Sequence, residues 1–267
     1  MVRFFMERAE NLLEVACEAA RQAGSLLESR TGKILEIRKK TSAVDLVTEM
    51  DLRSEQVIVD CILRHFPGHE ILAEEKGQTS GQRGSAYRWI IDPLDGTTNY
   101  AHGYPMFCVS IAVTVDGAVT AGAIYHPPMK EMFSATRGGG AWLNGRQLSV
   151  SEVDELGEAL TVTGFPYDVR TPPHTNLNYF TRFLTATRAV RRDGSAALNL
   201  AYIAAGRFDG FWELKLQPWD IAAGLLLVEE AGGKVTGFAG SPPDIYGKEI
   251  VASNGRIHQQ MLRLLED

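Results

Sequence analysis

The chain has 267 residues, 45% of them hydrophobic and 22% charged, with a formal net charge of −6. That length supplies a substantial core, and the acidic balance argues against general nucleic-acid binding, which rests on neutralising phosphates with Lys and Arg. Cys17, Cys61 and Cys108 are odd in number and far apart, with no C-x-x-C pair, so free thiols in a reducing compartment are expected. The N-terminus shows no apolar signal region. No apolar run approaches the ~18 residues a membrane helix needs. The expected location is the cytoplasm.

Leu12, Ala16, Ala19, Ala23 and Leu26 recur at spacings of three and four, which predicts an amphipathic helix over 6–30, ended by Gly32. Ile34, Leu35 and Ile37 predict a short strand before Lys39 and Lys40. Asp51 stands where a second helix should begin; Ile58, Ile62 and Phe66 form its core face, and Pro67-Gly68 stops it. Asp51 reads equally well as a plain helix cap, and Asp45 and Thr48 as groups bonding their own turn. Ile71-Leu72-Ala73 predicts a strand running into Glu74-Glu75, and 76–86 a polar, Gly-rich loop.

Tyr87, Trp89, Ile90 and Ile91 predict a buried strand up to Asp92. Pro93, with no N–H for the ladder, is expected to end it. Asp92 and Asp95 lie three residues apart across this break, and Gly96-Thr97-Thr98 could open a helix. Carboxylates at a strand end can hold a hard cation such as Mg2+. N–H groups at a helix start can hold a phosphate. The same residues also read as a capped turn, since Asp-Pro and Asp-Gly are ordinary turn pairs.

Residues 106–115 and 118–125 read as strands paired around Asp116-Gly117. A meander continues over 131–136 and 141–143, with turns at Arg137-Gly-Gly-Gly140 and Asn144-Gly145. Next come a strand at 159–163, a helix at 173–187 and a small helix at 195–205, capped by Ser195 and ended by Gly206. Asp209 to Leu214 reads as a strand. Pro218 opens a helix that is apolar on nearly every side, closed by Gly232-Gly233. Asp220 sits in its first turn, where the macrodipole favours a negative charge. A strand at 248–252 and a helix at 255–265 finish the chain. No linker divides it, so one domain over 1–267 is expected, of mixed α and β content.

Five carboxylates thus fall at element ends: Asp51, Glu74, Asp92, Asp95 and Asp220. Buried like charges repel and titrate upward unless cations fill the space between them. Such a cluster calls for two or three Mg2+ ions.

The strings Val44-Asp45-Leu-Val-Thr48 to Asp51, Ala73-Glu74-Glu75, Trp89 to Asn99, Gly194-Ser195-Ala196-Ala197 and Pro218-Trp219-Asp220-Ile-Ala-Ala-Gly224 resemble, in order and spacing, the motifs of the inositol monophosphatase family. These are Mg-dependent, lithium-sensitive sugar-phosphate phosphatases. The resemblance implies an α+β fold, a layered αβαβα sandwich with mixed sheets, and a homodimer. It implies that Glu74, Asp92 and the Leu94 carbonyl hold a first Mg2+, Asp92, Asp95 and Asp220 a second, and Glu74 with water a third. Thr97 and Asp51 would orient and deprotonate the attacking water, touched also by Glu74. The Gly96 and Thr97 N–H groups would receive the phosphate. Asp95, Gly194, Ser195, Ala196, Glu213 and Asp220 would meet the rest of the substrate, with Ser195 offering its hydroxyl. Lys40 lies where the family often places a basic residue.

The resemblance points to myo-inositol 1-phosphate. Histidinol phosphate, fructose 1,6-bisphosphate and 3′-phosphoadenosine 5′-phosphate are alternatives from the same superfamily. Asp193 is expected to face the surface and pair with an arginine; turned inward with Glu213, it would favour an amine-bearing substrate. Arg182, Arg188, Arg191 and Arg192 are the candidates for a second-phosphate pocket. Some bacterial relatives act in transcription and ribosomal RNA maturation through partner proteins, which leaves a regulatory reading open, with the phosphatase site secondary. No membrane and no direct nucleic-acid partner is expected.

Overall fold

The structure is a computed structural model and describes residues 2–31, 37–39, 46–79, 84–170 and 175–266. Its elements in order are α1 (Val2–Glu28), β1 (Ile37–Lys39), β2 (Leu46–Thr48), α2 (Glu49–His65), β3 (Glu70–Ala73), β4 (Gly77–Thr79), β5 (Tyr87–Asp95), α3 (Thr97–Ala101), β6 (Cys108–Val115), β7 (Ala118–His126), β8 (Glu131–Thr136), β9 (Gly140–Leu143) and β10 (Arg146–Gln147). The second half adds β11 (Leu160–Thr163), α4 (Leu177–Ala186), β12 (Ala189–Arg191), α5 (Ala196–Ala204), β13 (Gly210–Leu214), α6 (Pro218–Glu230), β14 (Lys234–Thr236), β15 (Glu249–Ser253) and α7 (His258–Leu265).

These form five layers. Helices α1 and α2 pack on each other and on one face of an eight-stranded sheet ordered β10-β9-β8-β7-β6-β5-β3-β4. The apolar stripe of α1 supplies that contact, with Leu12, Ala16, Ala19 and Ala23 all buried. Helices α5 and α6 lie between this sheet and a five-stranded one ordered β12-β11-β13-β15-β14. Both helices are apolar on nearly every side because both faces are covered. They touch closely at Gly224, where a Cβ would fall 2.5 Å from Leu200. Helices α4 and α7 form the outer layer, with α7 packed on β15. Both sheets are mixed: β3 runs parallel to β5, and β11 parallel to β12 and β13, among otherwise antiparallel pairs. This is the αβαβα sandwich expected from the motifs.

The largest departure from the sequence reading lies in β5. The strand does not end at Asp92 but runs through Pro93 to Asp95. Asp92 faces Ser110 and Asp95 faces Cys108 on β6, so a step of three on one strand matches a step of two on the other. The extra residue is a bulge, where a proline is tolerated because the ladder is already broken. Residues three apart on a regular strand point to opposite faces. The bulge restores both aspartates to the face shared by Ser110 and Cys108.

Other corrections are smaller. The expected loop 76–86 contains β4, paired with β3. The helix expected over 173–187 is described as Leu177–Ala186. The short strands β10, β12 and β14 lack a periodic signal of their own. The turns at Asp116-Gly117 and Asn144-Gly145 hold, and positive φ at all four residues is the type I′ pattern. Lys40, Asp45 and the strand residues Ile34 and Leu35 lie outside the described residues. No described helix is long and apolar enough to cross a membrane.

Candidate active site

The five acids named from sequence gather where three structural seams meet. Asp51 is the third residue of α2 and completes a capping box: its Oδ2 accepts the Thr48 N–H at 2.7 Å and the Thr48 hydroxyl at 2.6 Å. Its other oxygen, Oδ1, accepts the Thr97 hydroxyl at 2.9 Å. That hydroxyl also lies 3.0 Å from the Leu94 carbonyl. It carries one proton, so it commits to Asp51 whenever another group claims the carbonyl. Asp51 is 1% exposed, and burial pushes its carboxyl up to about 6 against the pull of the Thr48 and Thr97 bonds.

Asp92, 2% exposed, accepts the Leu94 N–H on Oδ1 at 3.0 Å, which shapes the bulge. Asp95 accepts the Ser195 hydroxyl at 2.6 Å and the Ala197 N–H at 2.7 Å on Oδ2, with the Cys108 thiol a longer third donor at 3.9 Å. Asp220, third residue of α6, accepts the Gln217 N–H on Oδ2 at 2.7 Å. The remaining oxygens, Asp92 Oδ2, Asp95 Oδ1 and Asp220 Oδ1, accept no hydrogen bond from any described side chain or backbone. Burial, then the neighbouring acids, holds the Asp92 and Asp220 carboxyls well above the usual range. Burial raises Asp95 to about 6, opposed by the Ser195 hydroxyl and the backbone N–H groups at the start of α5. Glu74, in the turn after β3, adds negative charge to all four aspartates.

Two glycines allow this closeness. Gly96 sits at φ 94°, and a Cβ there would lie 2.7 Å from the Met106 carbonyl. Gly194 sits at φ 81°, against the Asn99 side chain. Asn99 in turn donates to the Met106 and Asp193 carbonyls, tying α3 to the start of α5. Glu213, on β13, packs directly on the backbone of Gly164. Burial, with Asp95 nearby, pushes its carboxyl up to about 8, and Arg192 works in the opposite direction.

Three expectations change. Ser195 is 1% exposed, its proton goes to Asp95 and its oxygen accepts the Leu198 N–H at 3.3 Å as the cap of α5. In this arrangement the hydroxyl proton is committed to Asp95. Asp193 is half-buried, not surface-facing; burial raises its carboxyl and Arg191 opposes that, though from beyond ion-pair distance. Arg182 donates to the carbonyls of Leu264 and Glu266 in the outer helical layer, which engages it there and not with a second phosphate.

Sequence reasoning missed Glu55. It is fully buried, one turn along α2 from Asp51. Its Oε2 accepts the Glu75 N–H at 2.8 Å, which pins the turn carrying Glu74. Its Oε1 is buried without a hydrogen-bond partner, 4.0 Å from the Lys76 ammonium. A glutamate seven residues into a helix gives no motif signal; only its i+3 and i+7 alignment with the core residues Ile58 and Ile62 hints at burial. Ser54 was also missed. Its hydroxyl donates to the Pro93 carbonyl at 2.7 Å, clamping the bulge to α2.

Oxygen donors in this number, with Asp92, Asp95 and Asp220 each fixed through one oxygen and unbonded at the other, match what a hard divalent cation requires. Among the described residues no cation acts on Asp92, Asp95 or Asp220, and Arg192 acts on Glu213. The donor set therefore fits Mg2+.

Comparison with known proteins agrees. The sequence profile of the inositol monophosphatase family matches residues 8–267. A Synechocystis protein named inositol-1-monophosphatase is 46% identical over 95% of this chain and 88% of its own length. The Nus factor SuhB of Escherichia coli is 43% identical over 96% of each chain. The solved inositol monophosphatase of Anabaena (Nostoc) superposes with a TM-score of 0.88 at 46% identity, covering 96% of this chain and 95% of that one. On this similarity, spanning nearly the whole sequence and every acid of the site, the chain belongs to the inositol monophosphatase family, a family of phosphatases.

Proposed function

We propose that this chain hydrolyses a small polyol phosphate monoester, myo-inositol 1-phosphate first, to the alcohol and inorganic phosphate by direct attack of water. The observation that carries the reading is the unbonded oxygen on each of Asp92, Asp95 and Asp220, three acids that repel one another without a cation. Glu74, Asp92 and the Leu94 carbonyl would hold one Mg2+, Asp92, Asp95 and Asp220 a second, and Glu74 with water a third. Bound there, Mg2+ supplies neutralisation of the phosphate oxygens and acidification of water.

The chain's own groups do the positioning. Thr97 donates to Asp51 Oδ1, which leaves lone pairs on its oxygen to accept a proton from water. Asp51, held by the capping box, accepts that charge without moving. The N–H groups of Gly96 and Thr97, at the unpaired start of α3, receive the phosphate. Glu213 accepts hydroxyls of the sugar, and Gly194 with Ala196 lets the ring approach backbone. No serine, cysteine or histidine is placed as a nucleophile in this cluster, so no covalent intermediate with the protein is formed. Lithium sensitivity and a homodimer accompany this reading as family properties.

The Nus-factor relative favours a second reading, a regulatory protein in transcription whose phosphatase site is secondary. The complete acid set favours the enzyme. Phosphate release is measured with and without Mg2+ on inositol 1-phosphate, histidinol phosphate, fructose 1,6-bisphosphate and 3′-phosphoadenosine 5′-phosphate, with Asp92→Asn as control. Fastest Mg2+-dependent turnover of inositol 1-phosphate, lost in the variant, is the expected result. A preference for another substrate by about tenfold, or 1.4 kcal/mol, reassigns specificity and keeps the chemistry. No cleavage at any Mg2+ level moves the regulatory reading ahead.

A further inference from the structure

A second cluster of metal-ligating side chains lies in the last turns of α2, where it packs on α1. Cys61 and His65 are one turn apart on α2, and Glu18 faces them from α1. One ligand atom from each, the Cys61 Sγ, a His65 ring nitrogen and a Glu18 carboxylate oxygen, lies within 4.8 Å of the others. The His65 Nε2 to Glu18 Oε2 distance is 3.5 Å. Cys61 is fully buried, while Glu18 and His65 reach solvent. Gln22 Nε2 donates to Glu18 Oε1 at 2.8 Å and so fixes the carboxylate that faces the histidine. Beside them opens a cleft of about 280 Å³, lined by Asn11, Glu14, Glu18, His65 and Phe66.

We propose that Glu18, Cys61 and His65 form a site for Zn2+, or another borderline-soft divalent cation, that fastens α1 to α2. The donor chemistry separates this site from the carboxylate cluster. One thiolate, one imidazole and one carboxylate suit Zn2+, while an all-oxygen set suits Mg2+. Zn–S and Zn–N bonds are ~2.3 and ~2.0 Å, so a cation among the three needs only a small inward movement of a half-exposed histidine and glutamate. The cleft gives the ion its path, and water or Glu14, one turn before Glu18, fills the fourth position. Arg64 is the cation that acts on Cys61, and Glu18 opposes it. Burial and Glu18 keep the empty thiol protonated; on binding, the Cys61 S–H bond breaks, the thiolate pair goes to the metal and one proton leaves to solvent. No redox change is involved. The site joins two helices of the same outer layer, and α2 carries Asp51 at its other end.

The test uses the full-length, reduced, metal-free protein in excess Mg2+, which occupies oxygen sites and competes poorly for thiolate. Co2+ is titrated as the visible substitute for Zn2+. One equivalent should produce a thiolate-to-cobalt charge-transfer band, removed by Zn2+. Cys61→Ser should abolish the band, with circular dichroism confirming the fold. His65→Ala, at a half-exposed position that folding tolerates, should weaken Co2+ binding at least about tenfold, the scale set by losing even an outer partner. Cys108→Ser, beside Asp95, should leave the band intact. Absence of the band in the unmodified protein, its survival in Cys61→Ser, or its loss in Cys108→Ser overturns the proposal.

Discussion

Replacing Ser195 by alanine separates two roles that its position in the motif confuses. The hydroxyl donates to Asp95 Oδ2 at 2.6 Å and accepts the Leu198 N–H as the cap of α5. A hydrogen bond to a charged group contributes about 1.5–3 kcal/mol, and loss of a serine cap costs about 1 kcal/mol. The two share one hydroxyl, and the Ala197 N–H still holds Asp95 at 2.7 Å. The expected loss is therefore about 2 kcal/mol, below the sum, and is read as a shift of the urea midpoint at unchanged slope. The functional effect follows from the loosened Asp95. Loss of a partner behind a metal ligand typically weakens metal binding about 10–100-fold. The Mg2+ concentration giving half-maximal phosphate release should rise by at least about tenfold on that basis. At saturating Mg2+, KM for inositol 1-phosphate should stay within about twofold, because no uniform substrate contact is removed. A large KM increase with an unchanged Mg2+ midpoint would refute the reasoning and return Ser195 to the substrate.

Glu55→Ala strips the buried acceptor from the Glu75 N–H and should lower stability by about 1–3 kcal/mol; the same variant should raise the Mg2+ midpoint in the phosphate-release assay, since the turn holding Glu74 is no longer pinned. Glu213 gives a pH signature. Its carboxyl lies at about 8 in the folded protein against an ordinary value of 4.5, so between these limits the folded chain keeps a proton that the unfolded chain has lost. Stability from this group is full below the lower limit and falls as pH rises towards the upper one, by up to about 1.4 kcal/mol per pH unit. In Glu213→Gln, urea melts of the metal-free protein should lose that part of the slope; an unchanged pH profile would show that Glu213 is ionised in the folded state at neutral pH.

The acids of the site were legible because each stands at a boundary that the sequence also marks: Asp51 and Asp220 at helix starts, Glu74 and Asp92 after apolar strand residues. The layered fold was legible only through the motifs, since periodicity distinguishes helix from strand but does not order the strands of two sheets. The β5 bulge was not, because a proline inside a strand reads as its end. Only the partner strand, pairing Ser110 and Cys108 with Asp92 and Asp95, shows that pairing resumes. Glu55 and Ser54 were invisible for a related reason. Their roles exist only against Glu75 and Pro93, residues about 20 and 40 positions away that the chain must fold to reach. Ser195 was placed correctly at the cap, but its bond to Asp95 was not legible because a hydroxyl's partner cannot be read from its neighbours.

Asp51 and Asp220 show why a structural and a functional explanation of the same acid do not compete. Each is the third residue of a helix, and each uses Oδ2 to accept the N–H of its cap residue, Thr48 or Gln217. The cap occupies one oxygen and, by fixing the carboxylate, aims the other into the site. Asn retains one acceptor oxygen at nearly the same place, so Asp220→Asn should keep the cap. It gives up a favourable charge near the start of α6, worth about 0.3–1 kcal/mol. It also removes an acid whose carboxyl is held well above its usual range by burial and by Asp95, and the relief is expected to exceed that loss. The metal-free variant should therefore be at least as stable as the parent near neutral pH, while Mg2+ should no longer raise its thermal midpoint and phosphate release should be lost. If Asp220→Asn instead unfolded the metal-free protein, the carboxylate would be a structural requirement of α6. The division of labour between its two oxygens would then be wrong.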